Sequence, residues 1–309
     1  MAEQKIRFKN ILVCLDLSEM DHFLVNYTNY IIGTFKPEKL VFIHVMDRYD
    51  LPDEITRTID DSGGELEDMV REELDELIRE GVTTKSDTEI SLELEIGLPA
   101  EKLLHYAGKN KFDLIVLGKK TGYSGKGSMA RRIVGLVPAS VLVVNETSRQ
   151  DIRKMLVRME FSRTSASTLK VAQGVAGFAG ADIECHHVYK LPLHYFPRQT
   201  PENLKKLKAQ VAEVVEREYA KFISKMRVKE PPPVSYSLEA QADESQLLYN
   251  YAIKHGFDLI ITGSQIKSPL AGLILDRTSE KLVSGDKSIP VLVVKDKKHS
   301  VGILKAIFD

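Results

Sequence analysis

One segment of this chain is written twice. Asp113–Gly118 reads DLIVLG and Asp258–Gly263 reads DLIITG, while Ser140–Val144 reads SVLVV and Pro290–Val294 reads PVLVV. Each of these is a continuous apolar run rich in β-branched residues and Leu, as expected of a parallel strand covered on both faces. The rest of the two halves lines up at a nearly constant offset. Leu12-Val13 matches Leu156-Val157 and Ser18 matches Ser162 at 144, His44-Val45 matches His187-Val188 at 143, and Leu103-Leu104 matches Leu247-Leu248 at 144. The offset is 145 at Gly118 and Gly263 but 150 at Val141 and Val291, so the first half has the shorter loop after its glycine. A period this long means duplicated domains, not a solenoid. The 309 residues suit two domains of roughly 150 residues each. The polar stretch Asn145–Asp151 is the expected boundary, giving domains over 1–148 and 149–309.

Within each half, apolar runs alternate with helical patterns. Ile11–Leu17 reads as a first strand with Asp16 near its end, Asp21–Phe35 as a helix that Ser18 or Asp21 is able to cap, and Lys39–Asp47 as a second strand. Glu65–Glu80 has apolar residues near helical spacing, Glu89–Ile96 alternates as a strand, and Ala100–Lys109 forms a short helix. The second half adds a long helix over Glu202–Met226, then Pro231–Pro233, then a strand over Val234–Ala240. Strands alternating with helices predict βαβ units, an α/β fold, and a mainly parallel sheet with helices on both faces. The tail carries an apolar patch at Val301–Leu304 and Ile307–Phe308, expected to dock as a C-terminal segment.

The candidate site follows from that fold class. Open α/β sheets bind ligands at the carboxyl ends of their strands, and Asp16, Leu17 and Ser18 stand at the end of the first one. The loop after Asp113–Gly118 carries Gly118, Gly122, Gly125 and Gly127, followed by Ser128. Glycines let a backbone turn sharply and come close to a ligand. The next helix would aim its N-terminal amides at an anion such as phosphate. Lys119, Lys120 and Lys126 add positive charge, yet the spacing is not that of a Walker A loop.

Composition removes several classes of function. With 43 basic and 44 acidic residues the net charge is −1, which gives no basic surface for nucleic acid. There is no Trp and only 7% aromatics, so base-stacking platforms are not expected. Cys14 and Cys185 both lie in or beside apolar runs, which reads as two buried thiols and a reducing compartment. MAEQKIRFKN has no apolar core of signal-peptide length, and no apolar run reaches the roughly 20 residues that span a bilayer. A soluble, cytoplasmic protein is expected.

Other constellations favour plain structural readings. Cys185, His186, His187 and His194 offer zinc-type ligands, but adjacent strand residues point to opposite faces. No G-x-S-x-G elbow marks a nucleophile, and no residue presents itself as a water-activating base. The segments between the second and third strands, Arg48–Asp87 and Tyr189–Pro233, offer a lid or cavity wall for an apolar ligand, but packing onto their own domain is the favoured reading. In the second half Leu191, Leu193, Tyr195 and Phe196 either line such a cavity or pack the segment onto its own domain.

Taken together, these residues resemble the universal stress proteins, over nearly the whole chain and as two tandem copies. The resemblance rests on the strand ending in Asp16 and closely followed by Ser18, on His44-Val45 and His187-Val188, and on the glycine loop leading to SVLVV and PVLVV. It implies a five-stranded parallel α/β sandwich per domain, and two halves placed against each other as a pseudo-dimer. A homodimer is a further expectation, since single-domain members usually dimerise. It also implies that the loop cradles the phosphates and ribose of ATP, with Mg²⁺ accompanying them, and that the first-strand Asp lies near the adenine.

The family loop has the form G-x2-G-x9-G-[ST]. Here Gly118 to Gly127 spans nine positions instead of 13, and Thr121 stands where the second glycine belongs. The second half keeps close to family length, but Ile266 and then Asp276 or Arg277 replace the glycines, and Glu160 replaces the acid of the first strand. The first half is therefore the better nucleotide site. The expected site residues are Asp16, Leu17, Ser18, Val45, Gly118, Gly122, Gly125, Gly127 and Ser128. The reading is a non-enzymatic stress-response module that binds an adenine nucleotide. The alternative is a nucleotide-independent scaffold for protein partners or another small ligand, and weak ATP hydrolysis ranks last.

Overall fold

The computed structural model describes residues 8–47, 66–120, 128–192, 200–239, 242–264, 276–285 and 288–295. Gly122, Gly125, Gly127, His194, Leu193, Tyr195, Phe196, Ile266 and the apolar tail patch lie outside them.

The first half runs β1 (Asn10–Leu15), α1 (Met20–Phe35), β2 (Lys39–Met46), α2 (Leu66–Gly81), β3 (Glu89–Ile96), α3 (Pro99–Asn110), β4 (Leu114–Gly118), α4 (Ser128–Leu136) and β5 (Ser140–Val144). The second half runs β6 (Lys154–Arg158), α5 (Arg163–Ala179), β7 (Asp182–Lys190), α6 (Pro201–Met226), β8 (Val234–Glu239), α7 (Glu244–Lys254), β9 (Leu259–Ser264), α8 (Arg277–Ser284) and β10 (Val291–Lys295). The α/β class and the parallel five-stranded halves stand as expected. The first strand stops at Leu15, two residues before the predicted end, because Leu17 turns to a left-handed φ of 58°.

The ten strands form one sheet in the order β3-β2-β1-β4-β5-β10-β9-β6-β7-β8. Neighbours within each half are parallel. The seam is antiparallel, with Val141, Leu142 and Val143 facing Val293, Leu292 and Val291. The repeated SVLVV and PVLVV runs thus meet each other, and their backbone groups complete a sheet that each half would otherwise leave open at an edge. Both faces carry apolar cores that run across the seam. One joins Tyr27, Phe35 and Phe42 to Met155, Leu169 and Phe222, and the other joins Leu12, Val41 and Ile133 to Leu156, Leu248 and Leu282. Phe35 and Phe178 meet edge-on at 6.2 Å, and Tyr30 accepts a hydrogen bond from the Ile152 amide at 3.3 Å.

The repeated DLIVLG and DLIITG segments prove to be architectural at both ends. The carboxylate of Asp113 accepts from the amides of Lys9 and Asn10 at 2.9 and 3.0 Å, where β1 begins. Asp258 does the same for Arg153 and Lys154 at 2.9 and 3.0 Å, where β6 begins. At the other end, a Cβ on Gly118 would lie 2.6 Å from Met20 Cγ and 3.0 Å from Leu24 Cδ1. One on Gly263 would meet Thr168 Oγ1 and lie 2.5 Å from Thr164 Cγ2. Each glycine lets the first helix of its half press against the middle of the sheet, a contact any side chain would hold off.

Candidate functional site

The strand order reverses between β1 and β4 in the first half and between β6 and β9 in the second, and these are the switch points where such sheets form crevices. In the first half β2, β1 and β4 are hydrogen-bonded neighbours, with Leu15 opposite His44 and Cys14 opposite Leu117. Asp16, Leu17 and Ser18 therefore share one edge with Val45 and Gly118. Asp16 and Leu17 are exposed, and Ser18 is half-buried. Val45 is buried in the core on the α3 and α4 side of the sheet.

The turn after β1 is held by residues outside the predicted site. The buried Asp21 carboxylate accepts from the Asp16 amide at 3.1 and 3.2 Å and from the Leu17 amide at 2.7 Å. It clamps the turn instead of capping α1. Ser18 Oγ accepts from the Met20 amide at 3.2 Å. His44 Nδ1 lies 3.0 Å from the Leu15 carbonyl. The second half builds the same turn with His187 Nδ1 at 2.7 Å from the Met159 carbonyl, Phe161 at φ 54°, and Ser165 Oγ accepting from the Glu160 amide at 2.9 Å. The paired His-Val dipeptides were the visible signal for this device. Asp21 and Ser165 differ chemically, so no repeated letter marked them.

Burial pushes the Asp21 carboxyl up to about 6, against the opposing effect of the Asp16 and Leu17 amides. An acid with a raised folded pKa contributes stability that is present at low pH and lost as pH rises through that value. Asp21→Asn keeps an acceptor for both amides and removes the titration. Its stability relative to the native protein is expected to rise between pH 4 and 6, where only the native protein loses the Asp21 contribution while His186 and His187 act alike in both. Urea midpoints across that range check this, and parallel curves for the two proteins would refute it.

The loop after Gly118 leads to α4, whose first residue is Ser128, so an anion-attracting helix N-terminus faces this edge. The two described lysines of the loop are committed elsewhere. Lys119 Nζ donates to the carbonyls of Val283, at 3.2 Å, and Gly285, at the C-terminus of α8 across the seam. Lys120 pairs with Glu19 at 3.1 Å. Neither was expected to be engaged in this way, since the sequence showed only positive charge near glycines.

The second crevice is filled. Arg158 is buried, with Nε 2.7 Å and Nη2 2.8 Å from the two Glu244 oxygens, Nη1 2.9 Å from Asp276 and Nη2 2.5 Å from Glu160. Burial opposes its charge, yet Glu244, Asp276 and Glu160 together hold its pKa above the ordinary value. Thr278 Oγ1 donates to Glu244 at 2.7 Å, and Asp276 also caps α8 through the amides of Thr278 and Ser279. Lys295 lies buried with Nζ 3.3 Å from Ser264 Oγ, and burial brings its pKa down to about 8. The glycine position that the loop pattern assigns to Asp276 is thus a working helix cap.

Cys185 and His186 face opposite cores, as the strand alternation predicts. His186 Nδ1 lies 2.7 Å from Ser235 Oγ and Nε2 3.0 Å from Ser237 Oγ. Burial lowers its pKa to about 4, so the ring is neutral at physiological pH. Among the described residues no group of three His, Cys, Asp or Glu side chains is arranged to hold a metal ion. No described helix is long and apolar enough to cross a membrane.

The model of the universal stress protein family matches residues 7–145 and again residues 151–295. Solved structures that match along nearly the full chain include the following three. A protein of unknown function from Pseudomonas aeruginosa PAO1 is 13% identical with a TM-score of 0.65, covering 97% of this chain and 96% of that one. A putative universal stress protein from Pseudomonas aeruginosa UCBPP-PA14 is 13% identical with a TM-score of 0.63, covering 98% of both chains. A universal stress protein from Archaeoglobus fulgidus DSM 4304 is 18% identical with a TM-score of 0.59, covering 94% of this chain and 99% of that one. At these identities the likeness is one of fold. No curated protein matches the chain.

Proposed function

The chain belongs to the universal stress protein family as two tandem copies, and on that premise we propose that it is a regulatory module binding one adenine nucleotide, ATP, in its first half. The observation that carries the proposal is the chemical contrast between its two crevices. The second is occupied by one guanidinium and three carboxylates. At the places of Arg158 and Glu244 the first half has Cys14 and Ala100, neither of them charged. Asp16 is exposed at the rim, where its carboxylate can accept from a ribose hydroxyl or the adenine amino group. Exposed Leu17, Leu98 and Met129 stand at the ends of β1 and β3 and at the start of α4, apolar surface suited to a planar base.

The residues of the first half fit such a ligand, with Mg²⁺ as counter-ion to its phosphates. Asp16, Leu17, Ser18 and Val45 form the rim, and Gly118, Gly122, Gly125, Gly127 and Ser128 form the loop and helix start. Those of the second half do not fit, because the buried Arg158 fills the space and Glu244 and Asp276 would repel phosphate. The proposal includes domains over 1–148 and 149–309, a cytoplasmic location, and a binding role without catalysis. The seam between β5 and β10 gives the second half the place a second copy would take, so a homodimer of this chain would use another surface.

Calorimetric titration of ATP into nucleotide-free protein, with and without Mg²⁺, tests the proposal. One site per chain is expected, lost in Gly127→Asp. At a ligand concentration 100 times Kd the bound form gains about 2.7 kcal/mol, so the melting temperature rises with ATP. Absence of both heat and thermal shift would turn the reading to the scaffold alternative, and two sites per chain would overturn the asymmetry.

A further inference from the structure

We infer that the pair of equivalent positions 14 and 158 determines which half accepts the ligand: Cys14 floors the binding crevice, and Arg158 is a built-in plug of the other one. The inference rests on the nucleotide reading above and assigns the residue that sets its specificity.

The two positions are related by the repeat offset of 144, as are Ala100 and Glu244. Both strands present them on the same face. Leu12 and Leu156, two residues earlier, share one core, and Cys14 packs against that same core. Each position is also beside the switch point, since β1 pairs with β4 and β6 with β9. In the second half the side chain at this place reaches the first residue of α7 and the cap of α8, so it spans the space between two helix N-termini. That space is where two helix dipoles would converge on an anionic ligand. A guanidinium with three carboxylates occupies it, and Arg158 itself is 5% exposed.

In the first half the corresponding helix starts are Pro99 and Ser128, and no carboxylate stands at position 100. Cys14 is half-buried, although Val13 beside it is fully buried and Leu15 is 5% exposed. Burial still pushes the Cys14 thiol far above the ordinary thiol range, so the thiol stays neutral beneath that small accessible surface. The other cysteine, Cys185, is fully buried. A ligand entering the first crevice therefore covers the Cys14 thiol, and Cys185 is unaffected.

One measurement tests this. In Cys14→Arg/Ala100→Glu, which transplants the plug with its main partner, ATP binding is expected to be lost while the melting transition stays cooperative. Binding retained in the folded double variant overturns the inference while the nucleotide reading stands. If the native protein binds no ATP, both fall together.

Discussion

Arg158→Ala is expected to cost about 3–5 kcal/mol of stability, the range for removing one partner of a buried ion pair. The loss comes chiefly from what remains. Glu244 and Asp276 are 18% and 21% exposed at their side chains and would be left there without their counter-ion. A two-pronged contact to Glu244 and a third to Asp276 tie β6 to the starts of α7 and α8, so those helix starts loosen together. Chemical denaturation of the native and variant proteins measures the cost. Arg158→Lys should recover only part of it, because an ammonium cannot match the flat fork that reaches both Glu244 oxygens. A loss below about 1 kcal/mol would mean the cluster is solvated like a surface pair.

Gly118→Val should destabilise the protein with no ligand present, by about 1–3 kcal/mol or more, as overpacking does. The new Cβ alone would stand 2.6 Å from Met20 Cγ, and its two methyls have to displace Met20 and Leu24 from between α1 and β4. Gly263→Val should do the same in the second half through Thr164 and Thr168. Thermal melts of the ligand-free variants decide the matter. Unchanged melts accompanied by lost ATP binding would return Gly118 to the role of a ligand contact. Equal losses in both halves would show that a glycine repeated at this place serves helix packing, whatever the crevice beside it holds.

Much of the fold was legible in the letters because it depends on short-range pattern. Leu114–Leu117 and Val141–Val144 announce strands covered on both faces, and Glu89–Ile96 announces a strand by alternation. A constant offset announces two copies of one unit. The carboxyl edge of the sheet, and with it Asp16–Ser18 and Gly118, followed from the βαβ alternation. The hydrogen-bonding partners were not legible. Asp113 reads as the start of a strand, yet its task is to hold the amides of Lys9 and Asn10, about a hundred positions earlier in the chain. Lys119 reads as positive charge beside a glycine loop, yet it serves the last carbonyls of α8 in the other half.

By itself, then, the sequence determined the α/β class, the duplication, the family, and the edge of the sheet on which a ligand would sit. Each of these is a matter of local periodicity or of one stretch resembling another. Tertiary structure alone decided that β5 and β10 join the halves antiparallel, that Gly118 and Gly263 let a helix press against the sheet, and that Arg158 is buried among Glu160, Glu244 and Asp276. Those outcomes turn on which side chains meet across 86 and 118 positions, from Arg158 to Glu244 and to Asp276. A linear pattern carries no record of such meetings, because burial and charge pairing arise only once the strands have taken their order.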